Sequence, residues 1–174
     1  ADINKKPYGT REDDPPAPIS DPAVSKIRSD VFLRHARNTR AFWNLIAIHH
    51  LGCIGHSIVI VGVVFFATEI QGLSLQAAAW IISIYSLASV TSRFGTPILA
   101  DRWGAKGIMI LAYVIQGISV AMLFWAHDPW QFYLFAVIFG IGMGGEMSAF
   151  IVINRQYYGM GPVRTVFGFQ SLGS

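Results

Sequence analysis

One arginine, Arg93, stands at the end of a long apolar run, eight residues ahead of Asp101 in the stretch TSRFGTPILADRWGAKG. Other polar residues inside apolar runs are Asn44, His49, His50 and His56, then Ser86 and Ser89, then Gln116, and finally Glu146. At about 100° per helical residue, Ser86, Ser89 and Arg93 fall within about 60° of one another and form a polar stripe. His49 and His56, seven apart, share a face with Gly52. An arginine at the centre of a membrane helix costs about 2.5 to 3.5 kcal/mol, so it needs a partner or a watery cavity. Three uses are open for Arg93: an ion pair with Glu146, a snorkel to the boundary about 12 Å away, or a fork for an anionic solute. The planar guanidinium suits a carboxylate. Glu146 has the same ion pair open to it, a role as polar glue between helices, or one in coupling and gating. The histidines can serve as hydrogen-bonded packing or move protons.

Other chemistries fit less well. A haem between imidazoles needs ligands on facing helices, and all three membrane histidines share one run. Cys53 is the only cysteine, which excludes an internal disulfide and a multi-cysteine zinc site. No nucleophile, base and orienting group stand at a defensible spacing, so no enzyme, cofactor or metal is expected. GIGMGG, Gly140 to Gly145, matches the dinucleotide pattern G-x-G-x-x-G, which works only between a strand and a helix. Here it lies inside an apolar run, where Gly140, Gly142 and Gly144 instead let another helix approach closely.

The elements that position these residues follow from composition. Of 174 residues, 53% are hydrophobic and 13% charged, a membrane composition. Residues 1–40 hold eight of the thirteen Lys and Arg and six of the ten Asp and Glu, leaving the remainder almost uncharged. The basic residues form no dense patch interleaved with exposed aromatics, so nucleic acid is not an expected partner. The segment TREDDPPAPISDP is too polar to fold on itself and reads as flexible. After it, Val24, Ile27 and Val31 recur at helical spacing among Lys26, Arg28, Arg34, Arg37 and Arg40, with Asp21 as cap and Pro22 in the first turn. That predicts a basic amphipathic helix on a membrane surface.

Four apolar runs follow: Ala41–Ala67, Leu75–Ala100, Gly107–Ala126 and Trp130–Ile153. Each reaches the roughly twenty residues that a helix needs to cross a bilayer. None alternates as a barrel strand would. Twelve of the thirteen Lys and Arg lie in the tail, in DRWGAKG or in NRQYYGMGPVR, which four spans place on one side, predicted to be cytoplasmic. Trp43, Trp80, Trp103, Trp125 and Trp130 fall near the predicted helix ends, as an aromatic belt requires. The expected fold is an all-α membrane protein of about four transmembrane helices, with a fifth beginning at RTVFGFQSLGS. Its two parts are a tail or loop, residues 1–40, and a helical bundle, residues 41–174.

SRFGTPILADRWGAKG resembles the loop between paired helices of the major facilitator superfamily, G-x-x-x-D-R-x-G-R/K. Asp101, Arg102 and Gly104 match, while Pro97 and Ala105 replace a glycine and a basic residue. With TRAFW, FGIGMGGEM and RTVFGFQSLGS, the chain resembles the carboxy-terminal half of monocarboxylate-transporter-like and oxalate/formate-antiporter-like proteins. The resemblance implies the seventh to tenth of twelve helices, within a six-helix bundle. It also implies symport or antiport of a small organic anion by alternating access, with a missing transporter half as partner. It implies that Arg93 binds a carboxylate near Ser89, Ser86 and His56, and that Asp101, Arg102 and Gly104 form a cytoplasmic gate. Ser89 stands where such transporters often carry a proton-coupling acid, which leaves His56 and Glu146 as candidates for coupling. The alternative expectation is a transporter-derived scaffold that packs against a larger membrane complex without transporting.

Overall fold

The computed structural model describes residues 21–159 and 163–171. Six helices follow one another: α1 Pro22–Arg37, α2 Arg40–Phe65, α3 Leu75–Trp103, α4 Ala105–Met122, α5 Pro129–Tyr158 and α6 Val163–Gln170. A π-helical turn, Phe66–Ile70, prolongs α2, and a 3-10 turn, Leu123–Trp125, ends α4. No strand occurs among the described residues. Four segments are long and apolar enough to cross a membrane: Arg40–Ile70, Leu75–Trp103, Ala105–Trp125 and Pro129–Tyr158. The fold is therefore the all-α membrane bundle expected, and α6 begins the fifth helix. The acidic, proline-rich stretch before Asp21 lies outside the described residues.

Local chemistry sets the helix starts. Asp21 Oδ1 accepts the Ala23 N–H at 2.9 Å, with Pro22 opening α1. Thr39 caps α2 through the Phe42 N–H at 3.4 Å, and Ser74 caps α3 through Ala77 at 3.2 Å. At α5, the Asp128 N–H donates to Gln131 Oε1 at 2.9 Å. The predicted loop DRWGAKG contracts to one residue: α3 runs through Trp103, Gly104 takes φ +85°, and α4 begins at Ala105. Only glycine adopts that backbone without strain, so it reverses the chain in a single step. All five tryptophans are exposed, as side chains at a membrane interface would be.

The most enclosed span is α5, which lies between α3 and α4. Two of its glycines meet α3. A Cβ at Gly140 would lie 2.5 Å from the Tyr85 carbonyl oxygen and 2.9 Å from Ala88 Cβ; one at Gly144 would collide with the Ser89 carbonyl. Gly142 faces α4, where a Cβ would stand 2.7 Å from Gln116 Cγ. The glycine-rich run thus works as a packing surface on two flanks, against two helices. Apolar clusters close both ends. One joins Phe42, Leu45, Ile108, Phe150 and Ile153; the other joins Val63, Ile81, Phe132, Phe135 and Phe139. Because α2 contributes to both, its middle turns are held by other means.

Gly144→Ala is expected to lower the thermal stability of the purified protein, by about 1 to 3 kcal/mol for overpacking. Gly117→Ala, where nothing lies within 4 Å of the added carbon, is expected to leave it unchanged or slightly raise it. Equal melting curves for the two variants would contradict the close contact.

Candidate functional site

Between the two apolar ends, α2, α4 and α5 meet around one carboxylate. Glu146 is 2% exposed, and its charge is met from two neighbouring helices. Tyr113 Oη of α4 donates to Oε1 at 2.6 Å, and Gln116 Nε2 donates to Oε2 at 3.1 Å. His56 Nε2 of α2 lies 3.0 Å from Oε2 and 2.5 Å from Gln116 Oε1. Both neighbours of that nitrogen accept, so it carries a hydrogen. A neutral imidazole with its hydrogen on Nε2 and an imidazolium both satisfy these contacts to the carboxylate. A buried carboxylate with donors at both oxygens avoids the cost that an unpartnered one would impose.

Glycine makes the junction possible. A Cβ at Gly52 would lie 2.7 Å from Tyr113 Oη and 2.8 Å from Glu146 Oε1. The predicted shared face of His49, Gly52 and His56 is the buried face of α2. The three histidines nevertheless divide. His49 stacks on Phe150 at 4.6 Å, His50 Nδ1 bonds the Ile46 carbonyl oxygen at 2.9 Å, and His56 alone bonds Glu146. A groove of about 440 Å³, lined in part by Gly55, His56, Tyr113, Gln116 and Gly117, opens over the cluster.

Arg93 lies elsewhere. It is exposed on a flank of α3, and among the described residues it forms no ion pair. The Arg93–Glu146 ion pair left open by the sequence is not formed; His56 takes that place. The reason is helical phase: Glu146 is two residues from Gly144, about 200° around α5, and so points away from α3. The stripe on α3 also divides. Ser86 and Arg93 are exposed, whereas Ser89 is buried against α5 with its hydroxyl 3.3 Å from Met143 Sδ. The structure therefore groups Ser86 with Arg93 and His56 with Glu146, and uses Ser89 in packing.

At the basic end, Asp101 does not cap α4. Gly104 itself occupies the cap, no side chain bonds there, and Asp101 and Arg102 are exposed in the last turn of α3. Among the described residues the two form no ion pair. A one-residue turn leaves Asp101 inside α3, three residues short of the cap.

The family model described as Major Facilitator Superfamily matches residues 5–174. The chain belongs to that superfamily. Members of the superfamily are in general transporters rather than enzymes, and the four spans make this an integral membrane protein in contact with lipid. No curated protein and no solved structure matches the chain.

Tyr113 is the site residue that the sequence did not single out. It stands three residues before Gln116, on the same face of a helix, a spacing that would have marked it once Gln116 was chosen. Ser92 and Ser148, which bond across the contact between α3 and α5, carried no such signal.

His56→Ala is expected to destabilise the protein by about 3 to 5 kcal/mol, because Glu146 stays buried without its partner. Replacing both His56 and Glu146 with Leu is expected to recover most of that loss. Unfolding titrations of the reconstituted protein compare the variants, and a double variant as unstable as the single one would contradict the pairing.

Proposed function

We propose that this superfamily member carries a small organic anion, a mono- or dicarboxylate, across the membrane by alternating access. The observation that supports this most is Arg93. A cation on a spanning helix, exposed and without an ion pair among the described residues, is costly in lipid and is stabilised when an anionic solute pairs with it. Its guanidinium meets both carboxylate oxygens at once, and Ser86, seven residues earlier on the same flank, offers a hydroxyl. Further helices complete the path around that flank, as the transport cycle needs two opposed bundles.

The His56–Glu146 pair takes the coupling role in this reading. Taking up or releasing a proton there changes the net charge of a buried cluster, and the Tyr113 hydroxyl and the Gln116 amide, which both donate to Glu146, help to hold that charge. The tail and the Asp101 turn are assigned to the cytoplasmic side by their Lys and Arg content. Asp101, Arg102 and Gly104 gate that side, where a one-residue turn lets α3 and α4 tilt against each other.

The decisive test is uptake of a labelled carboxylate into proteoliposomes holding the intact protein. Arg93→Lys is expected to abolish uptake while leaving expression unchanged, since Lys keeps the charge and loses the fork. Normal uptake by that variant would overturn the reading. Glu146→Gln is expected to keep exchange at equal pH and to lose the stimulation given by an acid exterior; unchanged stimulation would remove Glu146 from coupling.

A further inference from the structure

We propose that Ser148 positions Arg93 by holding the carbonyl of α3 that Pro97 leaves without its helical partner. The inference rests on the reading of Arg93 as the anion-binding residue. In an α-helix each carbonyl accepts the N–H four residues later, and proline has no N–H to give. Pro97 lies inside α3, so the carbonyl deprived of its bond is that of Arg93. Inside a spanning helix a carbonyl turned toward a neighbouring helix must find its donor there. The Ser148 hydroxyl of α5 lies 3.4 Å from it and donates. That is a long bond, looser than the backbone bond it replaces.

The surroundings direct this contact to Arg93. Gly144 rests against the Ser89 carbonyl, and Ser148, one helical turn further along α5, falls on the same face. Ser92 Oγ donates to the Ile141 carbonyl at 2.7 Å, and Ser89 Oγ to Met143 Sδ at 3.3 Å. Residues 89, 92 and 93 of α3 are thus each tied to α5, and the last tie is the one at Arg93. Among the described residues no ion pair fixes the guanidinium, so its direction depends on the backbone from which it projects. Loss of the Ser148 hydroxyl frees the backbone there to shift, and the fork loses its aim.

The test uses the intact protein in liposomes and two readouts. In carboxylate uptake, Ser148→Ala is expected to raise KM roughly three- to tenfold with Vmax little changed. Ser148→Thr keeps the hydroxyl and the original KM. The double variant Pro97→Ala, Ser148→Ala restores KM, because residue 97 then supplies the missing N–H. The second readout is infrared difference spectroscopy with 13C-carbonyl arginine, in which Arg93→Lys assigns the band. That band is expected to move to higher wavenumber in Ser148→Ala and to return in the double variant. A band unmoved by Ser148→Ala, or one that Pro97→Ala fails to restore, overturns the proposal. A band that behaves as expected with KM unchanged also overturns it, because Ser148 then bonds the carbonyl without positioning the arginine. A wild type that carries no carboxylate sinks the Arg93 reading and the positioning role with it, although the infrared bands would still decide the partner of the carbonyl.

Discussion

Inside a bilayer, apolar side chains gain little by leaving lipid for one another, so helices stay together only where they pack closely or share hydrogen bonds. This chain uses both devices, in different places. Between α3 and α5 the backbones come so close that Gly140 and Gly144 have no room for a side chain. The middle of α3 takes its position from that contact. Ser89 and Ser92 turn onto α5, and Ser86 and Arg93 are left on the flank beside it.

The second device holds α2. Its ends belong to two apolar clusters, and its middle meets the bundle through Gly52 and His56. The Glu146 carboxylate accepts bonds from α2 and α4 at once, so it joins three helices. Joints of this kind suit a moving protein. An apolar contact weakens gradually as surfaces slide, whereas a charged pair changes its partners or its protons in discrete steps. Because Glu146 bonds His56 and not Arg93, the separation of the two charges around α5 is central to the transport reading.

Much of the fold was legible in the residues. Four apolar runs of spanning length became four spanning helices, because length and hydropathy alone satisfy the backbone and the lipid. Asp21, Thr39 and Ser74 capped helices as their side chains dictate. The glycines of GIGMGG could be assigned to packing, since the pattern lay inside a span. The loop at DRWGAKG was less legible, because the charges of Asp101, Arg102 and Lys106 suggested an extended connection. A single left-handed glycine made a longer turn unnecessary.

The sequence by itself determined which residues are polar in the membrane, which helices carry them and how they are phased along each helix, because helical periodicity is a local property. It made His49, Gly52 and His56 one face, and it left Arg93 without a neighbour on its own helix to neutralise it. Which polar residues meet was decided by tertiary structure alone. That Glu146 turns to His56, Tyr113 and Gln116 and away from Arg93 depends on how far α5 is rotated between its neighbours. That rotation is set by glycine contacts between residues some fifty positions apart in the chain. Periodicity within one helix carries no information about the rotation of another, and so the joint appeared only when the helices were packed.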